Sequence, residues 1–296
     1  MNILIYTALL VVCISSTKLL AVTYNHQNDD NLFISYVHID PIKGYRYDNV
    51  VDISKFGYGL DASFNGSSIA LHCLGKDLKK SHFYRLNIRG NVTASGSMTT
   101  ISNVQQDGNL LFATSINKNN CTYVCNYDLI QVNGNDETIL YNFGKDDDLF
   151  RGSTYDPRNH IYYVCAEYNW RTIIYGIYTR DSRKVTKFGP LSDQDHYIWS
   201  ILYYKSKIYA MIYNMEIGSI QLVLVDVRTK NITTIMTYKE YNAHYAFAIN
   251  NNTIYSIMSS SMPNNVYFSV ITNWNTKQYE SIQITGRHIP INMWII

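Results

Sequence analysis

The chain is poor in charge and in catalytic signatures. Charged residues make up 16% of its 296 residues and the formal net charge is +2. Nothing in that balance draws it to nucleic acid or to anionic lipid. It has no Gly-rich phosphate loop, no Gly-x-Ser-x-Gly elbow and no His-Glu-x-x-His pair, so the motif-level signs of nucleotide binding, serine hydrolysis and zinc peptidase chemistry are missing. Helical periodicity is absent after the first apolar run, and no later segment is long or apolar enough to span a membrane. Apolar residues, by contrast, reach 46%, and there are 27 Tyr. That is ample material for a core, and Tyr suits a pleated, half-buried surface where its ring packs and its hydroxyl reaches water.

Residues 2–16, NILIYTALLVVCISS, form an apolar run of leader-peptide length. Lys18 follows the run, and no basic segment precedes it. Ser16 and Ala21 offer two cleavage positions. The neighbourhood of Ala21 is the expected one, giving a leader over 1–21 and a mature domain over 22–296, with an uncleaved anchor as the alternative. Secretion sets the reading of Asn and Cys. Five N-x-Ser/Thr sequons, at Asn65, Asn91, Asn120, Asn231 and Asn251, become expected glycosylation sites. Of the five cysteines, Cys13 leaves with the leader, and Cys73, Cys121, Cys125 and Cys165 remain as material for two disulfides.

Internal repetition dominates the rest. Segments starting at Ser153, Trp199 and Tyr245 align as apolar strand, polar turn, Ile-Tyr strand, variable loop, third strand, turn and fourth strand. The anchors Ile161, Ile208 and Ile254 lie 47 and 46 residues apart, and weaker copies around Ile69 and Leu111 extend the series at intervals of 42 and 50. Four short strands per period of about 40–50 residues is the signature of a β-propeller. Segments 32–40 and 47–54 read as outer strands of a further blade and 289–296 as an inner strand. Pairing both ends of the chain in one blade would remove exposed strand edges. The expected fold is all-β, a single propeller of six four-stranded blades, with five or seven as alternatives.

Tyr155-Asp156-Pro157 followed by Ile161-Tyr162-Tyr163 resembles the YDP…LYV pattern of NHL- and YVTN-type propeller repeats. It is also loosely similar to the six-bladed YWTD repeats of lipoprotein-receptor ectodomains, although the YWTD tetrapeptide is absent.

With strands a to d counted outward in each blade, b–c and d–a loops share one face, the top, and a–b and c–d turns the other, the bottom. Asn65 and Asn251 then fall on a–b turns and Asn91 and Asn231 on c–d turns, while Asn120 falls in a b–c loop. If the bottom is glycan-shielded, the top is free to bind. Cys73 and Cys165 occupy the fifth position of b strands two blades apart, too far for direct pairing. The economical solution ties each to Cys121 or Cys125 in the intervening loop; the alternative is a local Cys121–Cys125 bridge with two buried thiols. Acidic and His-bearing loops place Glu167, Trp170, Asp195, His196 and His244 on the top face as ligand-binding candidates. Their carboxylates could hold Ca²⁺, with His196 or His244 as a general base beside it.

Two functions follow. One is an extracellular binding module for a protein or glycan, in which Tyr and Trp170 make contacts. The other is a calcium-dependent hydrolase or lactonase resembling the secreted esterase propellers, a resemblance that implies carboxylates and Asn around the channel. The inner-strand starts Gly152-Ser153-Thr154, Ile198-Trp199-Ser200 and Tyr245-Ala246-Phe247 are poor in such ligands and favour binding.

Overall fold

The computed structural model describes residues 17–25, 31–40, 43–74, 81–98, 101–117, 126–133, 136–144, 149–168, 171–189, 196–229, 231–260, 266–285 and 288–296. They form six antiparallel four-stranded sheets. The first holds β1 (Thr17–Asn25), β2 (Leu32–Asp40) and β3 (Gly44–Asp52), with the chain's last strand, β24 (His288–Ile295), as its innermost member. The others follow in sequence. They are β4 (Tyr58–Phe64), β5 (Ser68–Leu74), β6 (Ser81–Asn87) and β7 (Val92–Met98); then β8 (Ile101–Asp107), β9 (Leu110–Asn117), β10 (Asn126–Asn133) and β11 (Asp136–Gly144). Next come β12 (Leu149–Asp156), β13 (Ile161–Tyr168), β14 (Arg171–Tyr178) and β15 (Val185–Phe188), then β16 (His196–Tyr204), β17 (Lys207–Asn214), β18 (Ser219–Asp226) and β19 (Ile232–Tyr238). The last full blade is β20 (Ala243–Asn250), β21 (Thr253–Ser260), β22 (Val266–Asn273) and β23 (Gln278–Gln283). The inner strands β4, β8, β12, β16, β20 and β24 touch in succession and close the ring. Among the described residues no helix is long and apolar enough to cross a membrane.

The burial patterns follow from this stacking. Both faces of each blade are covered by neighbours, so the b strands read as continuous apolar runs: β17 and β21 are buried along nearly their whole length. Alternate residues go to opposite neighbours. Along β13, Ile161, Tyr163 and Cys165 pack toward the β16–β19 blade, and Tyr162, Val164 and Ala166 toward the β8–β11 blade. Outermost strands such as β3 and β23 are largely exposed. All five anchors, Ile69, Leu111, Ile161, Ile208 and Ile254, lie on b strands.

The closing blade contains the main departure from expectation. Its b strand is β1, paired with β24 on one side and β2 on the other. Leu19, Leu20, Ala21 and Val22 are fully buried there. Residues 17–21, which the expected leader includes, form the opening of β1.

The two cysteines among the described residues lie in the core. Cys73 and Cys165 are free, buried thiols; each is a core side chain between blades, and burial pushes the Cys73 thiol up to about 12. Cys121 and Cys125 lie outside the described residues.

Every inner strand carries one β-bulge at an equivalent level. In β12 the bulge includes Gly152, at φ +92°, where an added Cβ would sit 3.2 Å from the Ser200 Cα of the next blade. Gly152→Ala is expected to cost about 1–3 kcal/mol, since it adds left-handed strain to a backbone clash. The shift in urea midpoint measures it.

Candidate functional site

A bulge places two residues opposite one and re-aims the strand. Six of them around an axis deliver a ring of side chains to the channel. Counting back eight residues from each anchor gives Asp61, Asn103, Ser153, Ser200 and Ala246, and Asn292 follows the bulge in β24. These residues, with those that follow them down to the a–b turns, line a cavity of about 760 Å³. The turn residues Asn65, Ser67, Asp107, Gly108 and Pro157 belong to its lining, so the cavity extends to the bottom face.

The lining has two unlike halves. On one side the blades of β4, β8 and β12 contribute Asp61, Ser63, Asn103, Gln105, Gln106, Ser153 and Thr154. On the other, β16, β20 and β24 contribute Trp199, Ile201, Tyr245, Phe247, Met293 and Trp294. Trp199 and Tyr245 are the extra residues of the bulges in β16 and β20. Trp199 is 40% exposed, which is high for a Trp held on an inner strand.

The polar half is cross-linked between blades. Asp61 accepts from the backbone N–H of Ala62 at 2.8 Å and of Val104, on the next blade, at 2.6 Å. The Asn103 N–H and the Asn292 side chain also bond it. Burial still outweighs these bonds and raises its pKa to about 6. Asn103 passes the connection on: its Oδ1 accepts from the Gly152 N–H at 2.7 Å, and its carbonyl accepts from the hydroxyls of Ser153 and Tyr162 at 2.9 and 2.6 Å. Gln105 Nε2 donates to the carbonyl and hydroxyl oxygens of Ser153, both at 3.1 Å. At the mouth, Asp107 accepts from the Tyr155 hydroxyl at 2.9 Å and bonds His160 Nδ1 at 2.8 Å.

This arrangement does not fit a Ca²⁺ site. A carboxylate offers about four lone-pair directions, and four donors already meet Asp61. Asp61 is a fastener between blades.

Of the residues expected on the top face, three lie among the described residues. Glu167 lies near the end of β13 and His196 starts β16, so both backbones reach the top; Trp170 and Asp195 lie outside the described residues. His244 is corrected: it is not a loop residue but a 3% exposed member of β20. Its Nδ1 lies 3.1 Å from Ser200 Oγ, its ring meets Phe247 edge-on, and burial lowers its pKa to about 3. Sequence reasoning missed Asp61, Asn103 and Asn292 as channel residues, and passed over Trp199 although its strand was recognised. The eight-residue offset from the anchors was the available signal. The sequons Asn65, Asn91, Asn231 and Asn251 are exposed, on the turns expected. Asn65 is thus on the cavity-bearing face, where its Oδ1 caps the turn by accepting from Ser67 and Ser68 N–H. Asn120 lies outside the described residues.

No protein-family model and no curated protein sequence matches the chain. Solved structures do. TolB from Acinetobacter baumannii superposes with a TM-score of 0.66 at 11% identity, over 94% of this chain and 66% of that one. The β-propeller domain of the Trilobed protease from Pyrococcus furiosus, described as having an open velcro topology, gives 0.57 at 13% identity over 90% and 80%. The chain is a six-bladed β-propeller. The acylaminoacyl peptidase of Pyrococcus horikoshii gives 0.54 at 11% identity, and this propeller spans only 44% of its length. At such identities the likeness is one of fold, which hosts many functions.

Proposed function

We propose that this propeller is an exported, glycosylated binding module that engages an extracellular protein or glycan through the bottom mouth of its channel. The observation that carries the reading is the two-sided cavity. A concave site of a few hundred Å³ with an aromatic wall and a few convergent polar groups is the usual form of a binding pocket. The half-exposed Trp199 is the kind of anchor on which binding energy concentrates. The leader in this proposal ends at or before Ser16, the earlier of the two small-residue positions, because later cleavage would cut into β1. Glycans on the outer turns at Asn91 and Asn231 would leave the central mouth accessible, whereas Asn65 lines the mouth, so this proposal requires Asn65 to be unmodified.

Binding of the purified protein to cell surfaces, followed by flow cytometry, tests the site. Trp199→Ala should weaken it about tenfold or more, the usual effect of losing an aromatic anchor. Ile139→Ser, at a 60% exposed position on outer strand β11, should leave it unchanged. Equal binding by both variants would move the site elsewhere, first to the top face between Glu167 and His196.

A further inference from the structure

Resting on the reading of the channel as the binding site, we propose that the group it receives is an uncharged saccharide, seated with an apolar ring face on Trp199. Charge is the first argument. The described lining contains Asp61 and Asp107 and neither Lys nor Arg. A phosphate, sulfate or carboxylate would therefore find no counter-ion. Asp61 is already held by donors of the protein itself, and Asp107 is bonded through Oδ2 by Tyr155 and His160. The channel thus selects against anions.

Shape and polarity supply the second argument. Trp199 and Tyr245 occupy matching bulges of adjacent inner strands, and both line the cavity. The Tyr245 ring is braced edge-on by Tyr267 at 5.3 Å, whereas Trp199 meets no other aromatic ring among the described residues and presents its surface to the channel. The facing wall carries neutral amides and hydroxyls beside Asp61 and Asp107. A molecule matching both walls has an apolar ring face on one side and hydroxyls around the edge. A pyranose has that form, and about 760 Å³ accommodates more than one ring.

The experiment uses the full propeller on an array of immobilised neutral, sialylated and sulfated oligosaccharides, with hits titrated by tryptophan fluorescence. Retention on neutral glycans is expected, with Trp199→Ala weakening it at least tenfold and Trp199→Phe retaining most of it, at unchanged melting temperature. Retention confined to acidic glycans, an unaffected Trp199→Ala variant, or a blank array would each overturn the proposal. Its failure is separable from that of the channel site. If Trp199→Ala abolishes cell binding while the array is blank and enzymatic deglycosylation of the cells changes nothing, the ligand is a protein and only the saccharide falls.

Discussion

A chain beginning at Val22 is expected not to fold, whereas one beginning at Thr17 should melt cooperatively as an intact ring. The five residues that separate the two constitute the first half of β1, the strand that joins the end of the chain to its beginning. Leu19, Leu20 and Ala21 are opposite Ile295, Trp294 and Met293 of β24 and opposite Val37, Tyr36 and Ser35 of β2. Losing two fully buried leucines removes about 4–10 kcal/mol by the usual range for deleted core side chains, before any loss of ladder hydrogen bonds or of the Thr17–Tyr255 hydroxyl contact at 2.5 Å. Domains of ordinary stability have about 5–15 kcal/mol in total. The inner strand β24 would also lose most of its partner, reopening a sheet edge at the channel. Circular dichroism melts of the two truncations measure the difference. Intact cooperative melting of the shorter chain would mean that β1 does not close the ring. On the proposal of export, mass spectrometry of protein collected from the medium of expressing cells gives a companion reading: cleavage should leave Thr17, or a residue before it, at the mature N-terminus.

The same strand shows why some of the fold was legible and some was not. The Ile-Tyr anchors stood out because b strands are covered on both faces and must be apolar throughout, so they repeat most faithfully. β2 and β24 were readable for the same reason. β1 is equally apolar, but its Leu19-Leu20-Ala21-Val22 runs on from an apolar leader-like segment with only Thr17 and Lys18 between, and hydrophobicity alone does not divide the two. Cys73 and Cys165 hold equivalent positions in their strands, and both are buried between blades. The site was harder. A bulge adds one residue without disturbing the apolar pattern on either side, so the ring of Asp61, Asn103, Ser153 and Ser200 shows in the sequence only as an eight-residue offset from the anchors. His244 looked like a loop residue because Lys239, Glu240 and Asn242 precede it, yet β20 begins at Ala243 and turns it inward.

Acidification should destabilise the ring by about 1.4 kcal/mol per pH unit between pH 6 and 4.5, the slope for one net proton taken up on unfolding. Three buried groups set this. Burial lowers the pKa of His72 to about 4 and that of His244 to about 3. In the unfolded chain both titrate near 6.5. The stability that each contributes as a neutral ring is therefore fully present above pH 6.5 and is lost as the pH falls toward 4 and 3. Asp61 works in the opposite direction. Its pKa is raised to about 6 from 3.8, so its contribution is full below 3.8 and is lost as the pH rises through 6. Within the window the unfolded state holds two extra protons on the histidines and the folded state one on Asp61, which leaves a net uptake of one. Asp52 and Asp226 accept hydrogen bonds from Ser54 and from Thr229 and Arg228, and their pKa values are lowered; their effect comes at lower pH. Urea midpoints at pH 6.5, 5.5 and 4.5 read the slope. His72→Leu should bring it close to zero, since one histidine then balances one aspartate. It should do so without loss of stability at pH 7, because His72 is fully buried and neither ring nitrogen has a partner among the described residues, and an apolar side chain of similar size removes two unmet hydrogen-bonding groups. A slope unchanged by His72→Leu would show that the acid sensitivity arises elsewhere in the ring.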